Sequence, residues 1–200
     1  MLYHTVEPAL TMTISPTWDL FIVVFFGLVI TYSFIIGKHE AVKIIISTYI
    51  AILAVEGIGN IVERLTGQNQ PMLSMLGLPI DANMLTAGKL LAFIMLVVFI
   101  AVRGGLSIDY TKDHGGIVNV ALTALFGAAT AGLLLTTLFI FVLDLPLLDP
   151  AIQNTETVQA LMSKSNLMQV MVKNQDLWFS LPALILVAVG FLSNEGHEDE

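Results

Sequence analysis

Three polar residues, Glu56, Asn60 and Glu63, interrupt a strongly apolar stretch and are the side chains best placed to do chemistry. Their spacing of four and then three residues puts them on one face of an α-helix. A carboxylate at the centre of a membrane helix costs about 2.5–3.5 kcal/mol, so Glu56 should face a neighbouring helix or a polar cavity, or be protonated. The stripe is a candidate proton or cation site. The alternative is a polar stripe that hydrogen-bonds to neighbouring helices, and Lys89 could reach it if its helix begins nearby.

Residues for other chemistries are missing or scattered. The sequence has no cysteine, which excludes a disulfide or a thiolate metal site. Its four histidines are far apart in sequence, and no metal or cofactor is expected. HExxH, GxSxG and phosphate-binding glycine motifs do not occur. Ser163 and Ser165 have no base at a useful spacing and are interpreted as structural serines. The chain is therefore expected not to be an enzyme.

The composition is that of a membrane protein. Hydrophobic residues make up 56% of the 200 residues and charged residues 12%, about half the charged share of a soluble domain. Too little polar surface is left to keep such a chain in solution, so a lipid bilayer is its expected surrounding. With a net charge of −8 and no basic stripe, nucleic-acid binding is not expected.

Four apolar stretches are long enough to cross a bilayer, which takes about 20 residues for a hydrocarbon core of roughly 30 Å. These spans are expected at about 20–36, 44–62, 85–102 and 117–143. Asp19 precedes the first span, where a negative charge favours a helix start. Because the connection GKHEAVK is very short, the first two spans should form an antiparallel hairpin. Between Glu63 and Gly88, glycine and proline residues predict a loop.

The C-terminal part has a different character. Residues 144–176 are interpreted as an interfacial amphipathic region. One helical face of this region carries Val158, Leu161, Met162, Ser165, Met168 and Val172. Packing of this helix onto a neighbouring loop is the alternative. Residues 177–192 are apolar but short and contain Pro182, so a fifth span and a re-entrant piece are equally open, and residues 193–200 form an acidic tail.

Small residues are spaced for close helix packing. In lipid, helices associate by close approach of their backbones, which small side chains permit. The second and fourth spans carry such residues: Gly57, Gly59, Ala124, Gly127, Ala128, Ala131 and Gly132. Packing is preferred over the alternative, a pore lining, because the threonines of the fourth span can return hydrogen bonds to their own helix.

Basic residues in short loops predict the orientation of the chain in the membrane. Lys38 and Lys43 lie in the first loop, and Arg103 and Lys112 lie in the third. Both loops are therefore expected in the cytoplasm. This orientation places the N-terminal segment, residues 1–16, outside the cytoplasm.

The stretch from TWDLFIVVFFGLV to Gly37, Lys38 and Lys43 resembles the start of the colicin V production protein family of bacterial inner-membrane proteins. That family opens with an aspartate just before its first helix, here Asp19. The stretches AGKLLAFIMLVVFIAV and NVALTALFGAATAGLLLTTLFIFV are similar to the family's third and fourth helices. The run SKSNLMQVM resembles the serine-containing helix that closes family members. The resemblance covers roughly residues 17–181.

The chain departs from the family pattern in its first loop. Ala41 stands where the family has a second glycine, and Glu40 lowers the positive charge of that loop. Gly127 and Gly132 do occupy small-residue positions of the family's fourth helix. Some relatives carry a trypsin-like protease domain after the four helices, but no protease activity is carried over to this chain.

The sequence predicts an all-α membrane protein: a bundle of four transmembrane helices, a C-terminal amphipathic helix and a short apolar terminal segment. The resemblance implies a multi-pass protein of the bacterial inner membrane, a scaffold or accessory component for toxin export or envelope maintenance. The alternative is a small transporter or ion-channel subunit that uses the Glu56 stripe. A structural subunit of a larger membrane complex is a further alternative. Other membrane proteins are expected partners, and a homo-oligomer is open.

Overall fold

A computed structural model describes residues 18–75, 82–105, 116–143, 145, 147–148 and 165–194, apart from the side chains of residues 63, 65–75, 82–83 and 192–194. These residues form five helices and no strand, which confirms the predicted all-α class for this part of the chain. The helices are α1 (Trp18–Met75), α2 (Ala82–Arg103), α3 (Gly116–Val142), α4 (Asn166–Lys173) and α5 (Gln175–Asn194).

Helix α1 contains one residue with left-handed backbone geometry. Gly37 has φ +82°, a region that glycine enters without the steric cost that a Cβ would bring. The residues on both sides of it are helical. We therefore divide α1 into a first arm, residues 18–36, and a second arm, residues 38–75.

Contacts to α5 indicate that the two arms fold back on each other. The ring centroids of Phe26 and Trp178 are 5.7 Å apart, and the Tyr49 hydroxyl donates a hydrogen bond to the carbonyl of Phe179. In a straight helix, positions 26 and 49 would be about 35 Å apart. Two adjacent residues of α5 could not contact both positions across that distance. The chain therefore turns back at Gly37, which agrees with the predicted hairpin.

Helix α3 lies antiparallel to the first arm. Near one end, the rings of Trp18 and Phe139 are in edge contact, with centroids 6.4 Å apart. Near the other end, Lys38, which directly follows the bend at Gly37, donates from its ammonium to the side-chain oxygen of Asn119 over 3.0 Å. The two pairs are separated by the same number of positions on each helix, so the helices run side by side over this length.

Helix α2 packs against the second arm in the opposite direction. The Lys89 side chain crosses Gly59, and only residues 76–81 connect α1 to α2. That connection spans at most about 25 Å, whereas a parallel arrangement would place the helix ends about 35 Å apart. The helices are therefore antiparallel, and Arg103 at the end of α2 points toward the same side of the bundle as the bend at Gly37.

Helix α3 is the central helix of the bundle. Its fully enclosed side chains include Phe126, Leu133, Leu135 and Ile140. Buried residues of both arms, α2, α4 and α5 belong to the same apolar cluster. The outward faces carry exposed apolar side chains, such as Leu28, Ile35, Leu53, Val102 and Phe191. An apolar outer surface of this extent indicates a membrane protein.

Three helices are long and apolar enough to cross a membrane: Trp18–Val62, Met84–Arg103 and Gly116–Val142. The pair Asn166–Lys173 and Gln175–Phe191, bent by 65°, would be a fourth if it counts as one span. The apolar part of α1, Trp18–Val62, has 45 residues. It would be about 68 Å long if straight, roughly twice the thickness of a hydrocarbon core. Its reversal at Gly37 divides this length into two halves.

The loop predicted between Glu63 and Gly88 is corrected by the structure. Helix α1 continues to Met75, and α2 begins at Ala82. The residues just after the apolar stretch include glutamate, arginine and glutamine, which have good helix propensity. Polar composition therefore marks the end of the apolar stretch but not the end of the helix. The expected limits 85–102 and 117–143 lie close to those of α2 and α3.

Helix α4 covers the end of the predicted amphipathic region. Ser165, Met168 and Val172, predicted on one face, are buried, and Lys173 is exposed. For this part of the chain, burial favours packing onto the protein over an interfacial position. Several predicted features lie outside the described residues: Val158, Leu161, Met162, Lys112, segment 1–16 and most of the acidic tail.

Candidate functional site

The predicted polar stripe lies on the second arm of α1. Glu56 is half-buried and Asn60 is exposed, while the side chain of Glu63 is not among those described. Within the described part of the chain, no hydrogen bond or ion pair reaches Glu56. The predicted hydrogen bonding of this carboxylate to a neighbouring helix is therefore not seen there.

Lys89 lies beside the second arm, close to the stripe. Its stem crosses Gly59, where an added Cβ would collide with it. A cavity of about 290 Å³ lies between the two helices beside this contact. The cavity is lined by Val55, Ile58, Gly59, Val62, Met84, Leu85, Gly88, Lys89 and Ala92. Among the described residues, its lining is apolar apart from Lys89 and does not include Glu56.

A second polar site joins the start of α1 to the start of α4. Asp19 lies in the first turn of α1, and Ser165 immediately precedes α4. The Ser165 hydroxyl donates to Asp19 Oδ1 over 2.5 Å, and the backbone N–H of Leu167 donates to the same oxygen over 3.0 Å. The Ser165 oxygen accepts from the backbone N–H of Met168 over 3.0 Å. We call this set of contacts the Asp19–Ser165 clasp.

The clasp provides hydrogen-bond acceptors for backbone N–H groups in the first turn of α4 in two ways. Ser165 is the N-cap residue, with extended backbone at φ −153° and ψ 119°, and its oxygen binds one of the N–H groups that a helix start leaves without a partner. The Asp19 carboxylate binds another and places a negative charge at the positive end of the helix dipole. Ser165 is 2% exposed. These contacts support its interpretation as a structural serine.

Another contact fixes α5 to the bundle. Pro182 lies inside α5 and has no N–H to donate to the preceding turn. The carbonyl that loses this donor is that of Trp178, and the neighbouring Phe179 carbonyl accepts a hydrogen bond from the Tyr49 hydroxyl. The Trp178 indole covers Gly132 of α3, where an added Cβ would collide with the ring. Helix α5 is thus held by both the second arm and α3.

The predicted packing residues differ in their surroundings. Four of them are buried: Gly59, Gly127, Ala131 and Gly132. Two are half-buried, Ala124 and Ala128. An added Cβ at Gly127 would lie 3.0 Å from the Ser33 Cβ on the first arm, whereas one at Gly57 would meet no atom within 4 Å. Gly57 therefore does not lie at a close helix contact in the described structure.

The basic residues used to predict the orientation lie toward one side of the bundle where they are described. Lys38 contacts Asn119 near the start of α3, and Lys43 pairs with Glu40 over 2.6 Å. Arg103 is exposed at the end of α2. Lys38 and Arg103 thus lie toward the same side of the bundle, and the orientation of the chain in the membrane stays a prediction.

Two residues at these contacts, Tyr49 and Asn119, are not singled out by the sequence patterns above. A hydrogen-bonding side chain inside an apolar span is the signal that could have found them, because such groups seek a partner in lipid. Among the described residues, no group of side chains is arranged to hold a metal ion.

The chain matches no protein-family model, no curated protein and no solved structure.

Proposed function

We propose that this chain is a non-enzymatic membrane protein of the colicin V production type, whose four spans are the two arms of α1, α2 and α3. It serves as a scaffold or accessory component for toxin export or envelope maintenance in the bacterial inner membrane. Helices α4 and α5 close the bundle along one side. Its partners are other membrane proteins.

The observation that carries this proposal is the Asp19–Ser165 clasp. Both residues belong to stretches by which the chain resembles that family: the aspartate before the first helix and the closing helix that contains serine. They are 146 positions apart and share a short hydrogen bond. Two markers of the resemblance that meet in space support a common architecture more strongly than either marker does alone.

Complementation tests this proposal. In a bacterium that secretes a peptide toxin and lacks its own colicin V production protein, this chain should restore secretion, with membrane abundance measured by blot. Asp19→Ala should restore less at equal abundance, whereas Leu28→Ala, at an exposed apolar position, should match the unchanged chain. An abundant, inserted chain that restores neither secretion nor resistance to envelope stress would contradict the proposal.

Transport of a proton or cation is the second candidate function, because Glu56 is a half-buried carboxylate within a candidate span. Glu56→Gln keeps the size and hydrogen-bonding capacity of the side chain but removes its ionisation. A scaffold should function equally well with this change. A normally abundant but inactive Glu56→Gln variant would favour transport instead.

A further inference from the structure

The α1–α2 groove is the cavity of about 290 Å³ between the second arm and α2. The described residues of its wall are apolar except for Lys89, and its rim includes Ile58 and Met84, which are 60% and 64% exposed. The groove therefore opens on the outer face of the bundle, which meets the bilayer. Small-molecule pockets begin at about 300 Å³, so a cavity of this size suits a segment of an acyl chain.

A glycine lines the groove on each of the two helices. Gly59 and Gly88 line it from opposite helices, and an added Cβ at Gly88 would meet no atom within 4 Å. At Gly59, the space of the missing side chain is taken by the stem of Lys89. The stem is thereby held along the wall of the groove.

From these features we propose that the α1–α2 groove binds an acyl chain of an anionic phospholipid and that Lys89 contacts its phosphate. Lys89 and Arg103 are about 21 Å apart along the axis of α2, less than the roughly 30 Å of the hydrocarbon core. Long basic side chains extend from such positions toward the nearer membrane surface. Helical side chains also lean toward the N-terminus of their helix, and for Lys89 this is the nearer end of α2.

The charge of the groove favours an anionic headgroup. An ammonium has three N–H donors, so Lys89 can add a phosphate oxygen to the contacts that it makes in the bundle. Among the described residues, Lys89 is the one charged side chain that lines the groove, and a positive charge attracts an anionic headgroup rather than a neutral one. The proposal rests on the placement of α1 and α2 in a bilayer, which the proposed function shares. Resistance of the chain to carbonate extraction from membranes tests that placement separately.

Lipid binding by the purified full-length chain tests the proposal. The protein in mild detergent is titrated with phosphatidylglycerol or phosphatidylcholine, and bound lipid is counted by native mass spectrometry. Gly88→Leu fills the groove, and Lys89→Met removes the charge but keeps the stem. Gly57→Leu is the matched control, since Gly57 has equally open surroundings but lies outside the groove.

The unchanged chain and Gly57→Leu should bind phosphatidylglycerol equally well, and more tightly than phosphatidylcholine. Lys89→Met should weaken phosphatidylglycerol binding about fivefold, the effect of one basic contact near an anionic surface. Gly88→Leu should abolish this binding, and if it fails to fold, Lys89→Met decides. Equal affinity of the unchanged chain for both lipids, or unchanged binding by either groove variant, would overturn the proposal.

Discussion

The carboxylate of Asp19 joins two segments that are far apart in the sequence. It accepts hydrogen bonds from the Ser165 hydroxyl and from the Leu167 N–H, and its charge favours the N-terminal end of α4. An asparagine at position 19 could still accept these hydrogen bonds but would carry no charge. Asparagine and alanine substitutions therefore separate the effect of the hydrogen bonds from that of the charge.

Asp19→Ala is expected to lower the melting temperature of the purified protein in detergent, and Asp19→Asn to lower it less. Ser165→Ala removes the N-cap of α4 and should cost about 1 kcal/mol. Because the two side chains share a hydrogen bond, the double variant should be more stable than the sum of the single effects predicts. Strict additivity would contradict a direct contact between them.

The hydrogen bond from Tyr49 to Phe179 should contribute to the attachment of α5. Tyr49→Phe is expected to cost about 0.6 kcal/mol, the average for a hydrogen bond between membrane helices. Tyr32→Phe is the control, because Tyr32 is 53% exposed on the first arm. Unfolding in increasing mole fractions of SDS measures both effects. Equal losses for the two variants would argue against the contact.

Close packing between α3 and the first arm depends on Gly127. Gly127→Leu should destabilise the protein by about 1–3 kcal/mol, as overpacking usually does, because Ser33 and Ile30 already occupy the space around an added Cβ. Gly27→Leu provides the comparison, since an added Cβ at Gly27 would meet no atom within 4 Å. Thermal melts in detergent that give the same small shift for both variants would show that Gly127 is not at a close contact.

The limits of α2 and α3 could be predicted from the sequence because bilayer thickness determines how long an apolar span must be. The buried face of α4 could be predicted for a similar reason, since apolar residues recur with the period of a helix. The extension of α1 to Met75 could not, because the glycine and proline residues of this stretch are more typical of loops than of helices. Nor could the meeting of Asp19 with Ser165, because spacing along the chain carries no information on contacts between distant helices.

The reversal at Gly37 determines how the other helices are arranged. The second arm runs opposite to the first, α2 runs opposite to the second arm, and α3 runs opposite to the first arm. The end of α2 and the start of α3 therefore lie on the same side as Gly37, which a short connection between them requires. The sequence could predict the hairpin from its short loop. It could not predict that residues 38–43, which follow Gly37 in that loop, are helical.

The most direct test of this arrangement is to measure on which side of the membrane each of four positions lies. Because the sequence contains no cysteine, single cysteine substitutions are straightforward. The four variants are Thr5→Cys, Lys38→Cys, Arg64→Cys and Arg103→Cys. In whole cells, an impermeant thiol reagent should label positions 5 and 64, whereas positions 38 and 103 should react only after the membrane is permeabilised. The reverse pattern at all four positions would contradict the predicted orientation but not the hairpin. Labelling of positions 5 and 64 from opposite sides of the membrane would mean that α1 crosses only once, and it would contradict the arrangement itself.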